Sequence, residues 1–367
     1  MTNERLIRVG ITQGDTNGIG YEVILKTLSN PQITELFTPV VYGSTKTASY
    51  HRKALDLQPV SMNVISNGAD IKDGVNNLVK TPNEDVKVDL GMATPDAGRA
   101  AFDALECAVA DLKQGYIDVL VTAPINKKTI QSDSFTFPGH TEYLESSIGE
   151  GDKALMILFS DKVRVALVTT HLPISQISKA ITKEAIVDKI HAFNRSLKQD
   201  FGIVRPRIAV LGLNPHAGDG GLLGKEEQEI ILPAIEEAVD HKILAFGPYA
   251  ADGFFGNEQY AHFDGVLAMY HDQGLAPFKT IAMERGVNFT AGLPYVRTSP
   301  DHGTGYDIAG KGEANEQSMR EAIYAAIDIY RNRNAYAEMT QNPLRRMYFD
   351  KSGDKESLDL TKAVDEE

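Results

Sequence analysis

The chain has 367 residues, 42% of them apolar and 24% charged, and its 50 acidic against 37 basic side chains leave a formal net charge of -13. That length suits one large or two ordinary α/β domains, and the acidic balance excludes a nucleic-acid or anionic membrane surface as the main partner without excluding a small anionic substrate. The single cysteine, Cys107, excludes an intrachain disulfide framework or a thiolate zinc cluster and fits a reducing compartment.

The N-terminal MTNERLIRVGITQGD has too short an apolar run for a signal peptide, and no 18-residue apolar span occurs, so a soluble, cytoplasmic protein is expected. The runs LIRVGIT, TPVVYG, IDVLVTAP, ALMILFS, VRVALVTTH, RIAVLGLNPH, GVLAMYHD and NFTAGLP are short, rich in β-branched residues and bounded by Gly, Pro or Asn, which predicts strands. Between Gly98 and Gly115, Phe102, Leu105, Val109 and Leu112 recur at helical spacing, with Cys107 as a small buried hydrophobe among them. Ile230, Ile231, Ala234, Ile235 and Val239 predict a second helix. Strands alternating with helices imply an α/β fold with a mostly parallel sheet covered on both faces. VRVALVTT follows ALMILFS after only Asp161 and Lys162, which predicts one antiparallel hairpin and hence a mixed sheet. The polar stretch 351–367, KSGDKESLDLTKAVDEE, reads as a flexible acidic tail.

Several polar patterns stand at the ends of these elements. GITQGDTNGIGYE, Gly10 to Glu22, is a glycine-rich strand-to-helix turn without the dinucleotide fingerprint. In FTFPGHTEYLE, His140 and Thr141 open a helix whose first backbone N–H groups suit an anion, although plain capping would use the same residues. Of nine histidines, His171, His216 and His271 each follow an apolar strand by a few residues. Parallel neighbouring strands would bring the three imidazoles to one rim, the donor set of a divalent metal with open positions. In LAMYHDQGLAPFK, Asp272 stands beside His271, Gly274 is expected to permit a tight turn, and Lys279 faces an anion. Asn288 and Arg297 flank the strand NFTAGLP, and Arg297 can fork onto a phosphate or carboxylate. The loop HGTGYDIAGKG reads as a wrap around a ligand.

Together the segments TAPINKK, FPGHTEYLE, VALVTTHLP, LGLNPHAGDGGLLGKEE, GPYAADGFF, LAMYHDQGLAPFK and GLPYVRTSPDHGTGYDIAGKG resemble the 4-hydroxythreonine-4-phosphate dehydrogenase family of pyridoxal phosphate synthesis, from about Gly10 to about Arg333. The resemblance implies an isocitrate/isopropylmalate dehydrogenase-like fold, with mixed, mostly parallel sheets flanked by helices and a cleft between two subdomains, approximately 1–130 plus 300–350, and 131–299. It implies a homodimer with its active site at the subunit interface, NAD, and a divalent zinc, magnesium or cobalt ion. The reaction implied is oxidation of 4-phosphohydroxy-L-threonine at its C3 hydroxyl, then decarboxylation to 3-amino-2-oxopropyl phosphate.

Carried over residue by residue, His171, His216 and His271 resemble the metal ligands, one of them coming from the neighbouring subunit. His140, Thr141, Lys279, Asn288 and Arg297 resemble the substrate contacts. The loop is similar to the HGSAPDIAGKG loop of the wider β-decarboxylating dehydrogenases, which implies that His302, Gly303 and Asp307 line the adenosine of NAD. Asp272 and Lys279 both stand as candidate bases. The family's TPGDPAGIGPE reads TQGDTNGIGYE here, and Gln13, Thr16, Asn17 and Tyr21 are expected to loosen that turn by removing prolines and an alanine. Gly253 stands where the family carries threonine or serine. A sister dehydrogenase acting on threonate or erythronate 4-phosphate, a phosphotransacetylase-like acyl transferase and a non-enzymatic metal-binding scaffold are the other readings.

Overall fold

Short apolar runs interrupted by Gly, Pro and Asn cannot sustain helices, so they pair as strands whose two faces are both buried. A computed structural model describes residues 5–282 and 285–342 of the chain; the stretch 351–367 lies outside the described residues. The strands are β1 Arg8–Thr12, β2 Thr38–Gly43, β3 Asn63–Ile65, β4 Asn77–Lys80, β5 Val119–Thr122, β6 Leu155–Phe159, β7 Arg164–Leu167, β8 Arg207–Leu211, β9 Leu244–Tyr249, β10 Gly265–Ala268, β11 Val287–Ala291 and β12 Val296–Pro300. They form one sheet in the order β3-β4-β2-β1-β5-β12-β11-β6-β7-β10-β8-β9.

All neighbours pair in parallel except β12–β11, β11–β6 and β6–β7. The β6–β7 pair is the predicted hairpin, with Ile157 opposite Ala166. Three successive antiparallel pairings reverse direction an odd number of times. The block β7-β10-β8-β9 therefore runs opposite to the block from β3 to β12. β3, β4, β9 and β12 were not among the predicted strands. β3 and β9 are edge strands with exposed positions, and β12, VRTSP, is polar in sequence yet buried throughout.

Helices cover both faces. The helix Pro95–Lys113 starts at Thr94, whose hydroxyl accepts from the Ala97 N–H, with Pro95 in the first turn, where no N–H partner is needed. Its Ala97, Ala101, Ala104, Leu105, Ala108 and Leu112 are buried, and each fully buried Leu contributes about 1.5–3 kcal/mol of transfer free energy. The helix Gln317–Thr340 lays Met319, Ala322, Ile323 and Ala326 against β12 and β5. The cysteine expected in the first helix is there, half-buried, with its thiol pKa pushed up to about 11 by burial. Among the described residues no helix is long and apolar enough to cross a membrane.

The turn after β1 is tied, not loosened. Gln13, Thr16, Asn17 and Tyr21 are all buried. Gln13 Nε2 donates to the Ala100 carbonyl at 3.0 Å and its Oε1 accepts from the Ser44 N–H at 3.1 Å. Tyr21 donates its hydroxyl to the Ser44 carbonyl at 3.0 Å. Asn17 Nδ2 donates to the Met92 carbonyl at 2.8 Å and to Thr94 Oγ1 at 2.9 Å, while its Oδ1 accepts from the Asp89 N–H at 2.8 Å. Side-chain hydrogen bonds to distant segments replace the rigidity that prolines would give. Gly18 is required here, since a Cβ would stand 2.5 Å from the Thr304 carbonyl oxygen. The Ile19 N–H donates to that oxygen at 2.9 Å, and Tyr306 donates to Asp15 Oδ2 at 2.6 Å. The loop 302–312 is thus docked on the first turn.

Candidate active site

The three antiparallel pairings at the middle of the sheet place a cavity of about 300 Å³ over β5, β12, β11 and β6. Thr122, Arg297, Ser299, Asn288, Met156 and Leu158 reach it from those strands. The site therefore lies between the two opposed strand blocks rather than beyond a single carboxyl rim.

Arg297 sits at its base, 3% exposed. Its Nε and one terminal nitrogen donate to Thr122 Oγ1, and the other terminal nitrogen donates to Thr290 Oγ1 at 3.0 Å. No carboxylate lies within ion-pair distance of it among the described residues, and burial lowers its pKa to about 10. A buried cation without an acid partner is expensive to keep. It is well suited to an incoming anion.

The helix His140–Ile148 begins beside it after Gly139, which supplies no side-chain cap, so its first N–H groups keep their capacity for a ligand. His140 and Thr141 line the cavity. Burial, then the nearby Arg297 and Lys127, depress the His140 pKa well below the ordinary histidine value, so its ring is neutral. His140 Nε2, Asn288 Oδ1 and His302 Nε2 are buried without a hydrogen-bond partner among the described residues. Three polar atoms around one cavity are thus available to a ligand or to water.

Lys279 and Asp301, 3.6 Å apart, also line the cavity. Burial raises the Asp301 pKa, and Lys279 opposes that shift. Lys279 belongs to the helix His271–Ala282, which begins with His271 itself. Gly274 is not in a turn. It lies inside this helix, where a Cβ would meet Val165 and Leu167 side-chain atoms at 2.8 and 2.9 Å, so the glycine serves close packing of helix on sheet.

His171 and His271 line the same cavity with ring centroids 5.9 Å apart. Asp272 accepts from His271 Nδ1 at 2.7 Å, and Glu142 stands 3.7 Å from His171 Nδ1, where the imidazole holds its carboxyl below the usual range. Strands β7, β10 and β8 are parallel neighbours, as the three-histidine reading requires. His216, however, is exposed and outside the cavity, and no group of three or more His, Cys, Asp or Glu is placed to hold a metal among the described residues.

The reason is local. His216, Ala217, Gly218, Asp219 and Gly220 all have positive φ, a left-handed run that costs non-glycine residues about 1–2 kcal/mol each. Buried Glu227 holds it by accepting from the Leu213 and Asn214 N–H groups, each at 2.7 Å, and from Asn214 Nδ2 at 3.0 Å. The segment forms a braced arm with His216 at its start.

His302 and Gly303 line the same cavity as His140, Thr141, Lys279, Asn288 and Arg297, whereas Asp307 is exposed and outside it. Gly253 has open space around its Cβ position and lies outside the cavity. Lys127, Asp301 and Ser299 were not singled out from the sequence. Lys127 lies in TAPINKK and Asp301 in TSPDHG, so only their neighbours carried a signal.

A model of the family described as Pyridoxal phosphate biosynthetic protein PdxA matches residues 35–326. The chain is 58% identical over 364 residues to a 4-hydroxythreonine-4-phosphate dehydrogenase of Bacteroides thetaiotaomicron, covering 99% of this chain and 100% of that one. It is 42% identical over 333 residues to the protein of the same name from a Sulfurihydrogenibium species, covering 89% and 100% of the two chains. The crystal structure of 4-hydroxythreonine-4-phosphate dehydrogenase from Klebsiella pneumoniae superposes with a TM-score of 0.77 at 34% identity, covering 90% of this chain and 99% of that one.

Proposed function

The chain belongs to the pyridoxal phosphate biosynthetic protein PdxA family, and from that premise we propose that it oxidises 4-phosphohydroxy-L-threonine at C3 with NAD, then releases carbon dioxide to give 3-amino-2-oxopropyl phosphate. The observation that carries this is the buried, acid-free Arg297 facing the orphaned atoms of His140, Asn288 and His302 in one cavity with the His171–His271 pair. Such a site demands an anionic, hydrogen-bonding ligand.

The two cavity imidazoles fit a divalent cation. Asp272 fixes the proton of His271 on Nδ1 and so presents Nε2 as a donor, the arrangement common to metal-ligating histidines. Within one chain the set is incomplete, and the braced arm carrying exposed His216 suits delivery of the third imidazole to a second copy. We therefore read the protein as a homodimer whose sites are shared between copies. When bound, the cation would lower the pKa of the substrate hydroxyl and draw charge from it; of zinc, cobalt and magnesium, imidazole donors suit the first two better, since magnesium prefers oxygen ligands.

The chain's own groups do the rest. Arg297, Lys279, Asn288 and the first turn of the helix His140–Ile148 hold the phosphate and carboxylate and set the hydride-transfer geometry. The docked loop bearing His302, Gly303 and Asp307 supports the adenosine of NAD, where an acid at Asp307 accepts from ribose hydroxyls and disfavours a 2′-phosphate. Asp272 and Lys279 remain the candidate bases. The two subdomains, approximately 1–130 plus 300–350 and 131–299, would meet at the cavity, where the strand direction reverses.

The test is NADH formation with 4-phosphohydroxythreonine and with the 4-phosphates of threonate and erythronate, each with and without chelator. Preferential turnover of the first, lost with chelator, is the expected result. Preference for either sugar-acid phosphate would assign the sister activity, and no NADH from any of them would sink the dehydrogenase reading.

A further inference from the structure

We propose that Lys127 is a catalytic residue of this site, its ammonium donating to the substrate oxygen on the carbon that is oxidised. The inference rests on the dehydrogenase reading above and adds to it a group that reading does not use.

Lys127 follows β5 by a short turn whose backbone is fixed. Asn126 Oδ1 accepts from the Lys128 and Thr129 N–H groups at 2.9 and 3.2 Å, and the Asn126 carbonyl accepts from the Ile130 N–H at 3.2 Å. From that turn the side chain extends along the cavity wall, with Nζ 3.4 Å from His171 Nε2. No carboxylate of the described residues lies within ion-pair distance of it. Lys279, the other cavity lysine, has Asp301 at 3.6 Å. An ammonium has three N–H donors, and the His171 ring nitrogen can take only one of them. Its capacity to donate is available to a ligand.

Position separates Lys127 from the anion-holding groups. Arg297 is buried among threonine hydroxyls, and Lys279 is engaged with Asp301. Lys127 instead adjoins His171, whose ring centroid lies 5.9 Å from that of His271 in the same cavity. In the proposed reaction the C3–H bond breaks and its electron pair passes as hydride to the nicotinamide, while the hydroxyl proton leaves to a base and a C=O bond forms. The bond to the carboxylate carbon then breaks, carbon dioxide departs, and that electron pair forms C=C as the carbonyl oxygen becomes an enolate oxygen. A proton added at carbon completes the ketone. Negative charge collects on the same oxygen in both stages, and an ammonium beside it is stabilising even at the exposed rim where Lys127 stands.

The experiment compares the full-length protein with Lys127→Met and Lys127→Ala, reading kcat, both KM values, melting temperature, and rescue of Lys127→Ala by added ethylamine. The expected result is a fall in kcat of about 10²–10³-fold, as for loss of one oxyanion donor, with unchanged melting temperature and saturable amine rescue. Both KM values should stay within about threefold of the parent. A rise in substrate KM with kcat retained would make Lys127 an anion anchor and overturn the proposal. So would unchanged kinetics, or a loss of kcat that ethylamine does not restore. His171→Ala and Arg297→Met run alongside separate the two levels. If they impair turnover or substrate binding while the Lys127 variants keep the parent kinetics, Lys127 alone is misassigned. If the parent protein reduces no NAD with any of the three phosphorylated acids, the reading beneath the proposal fails.

Discussion

Asp272 accepts a hydrogen bond from Nδ1 of His271, its sequence neighbour, at 2.7 Å, with the Asp272 side chain 86% exposed. One polar pair at the start of the helix His271–Ala282 thus settles which ring nitrogen carries the proton and which is presented to the cavity. The relationship favours an orienting role for Asp272 over proton abstraction, because its carboxylate is engaged by the imidazole and does not line the cavity.

Asp272→Asn should therefore weaken divalent-metal affinity by about 10–100-fold, the usual cost of removing a ligand-orienting carboxylate. At saturating metal, kcat should be largely kept. Chelator competition gives the affinity and steady-state kinetics the turnover. A collapse of kcat at saturating metal would instead identify Asp272 as the base.

Arg297→Met separates function from stability. Removing the guanidinium deletes an anion partner and should raise the substrate KM by about 100-fold or more, as loss of a charged hydrogen-bonding group costs roughly 3 kcal/mol or more. Stability should move by only about 1 kcal/mol, because the cost of burying an unpaired cation disappears together with its bonds to Thr122 and Thr290. Denaturant melts and KM measurement on one preparation check both halves. A large loss of stability would mean that Arg297 is chiefly structural.

Much of this was legible in the sequence because buried parallel strands leave dense β-branched runs and because polar residues at their ends have no packing reason to be there. The β6–β7 hairpin followed from a two-residue gap. β12 was hidden because VRTSP buries an arginine, a threonine and a serine that make sense only beside Thr122 and Thr290, far away in the chain. The turn after β1 was misread for the same reason: Gln13 and Asn17 look like flexible polar substitutions until Ala100, Ser44, Met92 and Asp89 are placed around them. The separation of His216 from His171 and His271 rests on left-handed backbone angles in HAGDG that its glycine content hints at without specifying.

Asn17→Ala tests the tied turn. It removes three hydrogen bonds of 2.8–2.9 Å, one of them to the hydroxyl that caps the helix Pro95–Lys113. The expected destabilisation is about 2–4 kcal/mol, at about 1 kcal/mol per bond plus the cost of unsatisfied partners. Since the same turn seats the loop 302–312, the KM for NAD should rise while that for the phosphorylated substrate does not. A change below about 0.5 kcal/mol in urea unfolding would return Asn17 to a passive role.

His51 sets a pH dependence of stability away from the cavity. It is buried, its Nε2 donates to the Thr16 carbonyl at 2.7 Å, and burial depresses its pKa below the ordinary 6.5. Between the depressed folded value and 6.5 the unfolded chain binds a proton that the folded chain does not. Unfolding free energy must then fall as pH is lowered through 6.5 and recover as pH is raised. His51→Gln keeps a donor for Thr16 and should flatten that slope in urea titrations between mildly acidic and neutral pH. An unchanged slope would place its origin elsewhere, with buried His140 the next group to test.

The proposed sharing of His216 between copies makes a quantitative prediction. His171→Ala and His216→Ala homodimers should each be inactive, since every site lacks one imidazole. Unfolded together in equal amounts and refolded, they pair at random, so half the dimers are mixed. In a mixed dimer one site combines intact His171 and His271 from one copy with intact His216 from the other, and the second site carries both lesions. Activity should return to about a quarter of the parent value, following from isologous pairing of two subunits. If His216 served its own chain, no mixture could rebuild a complete site, and the refolded mixture would remain inactive.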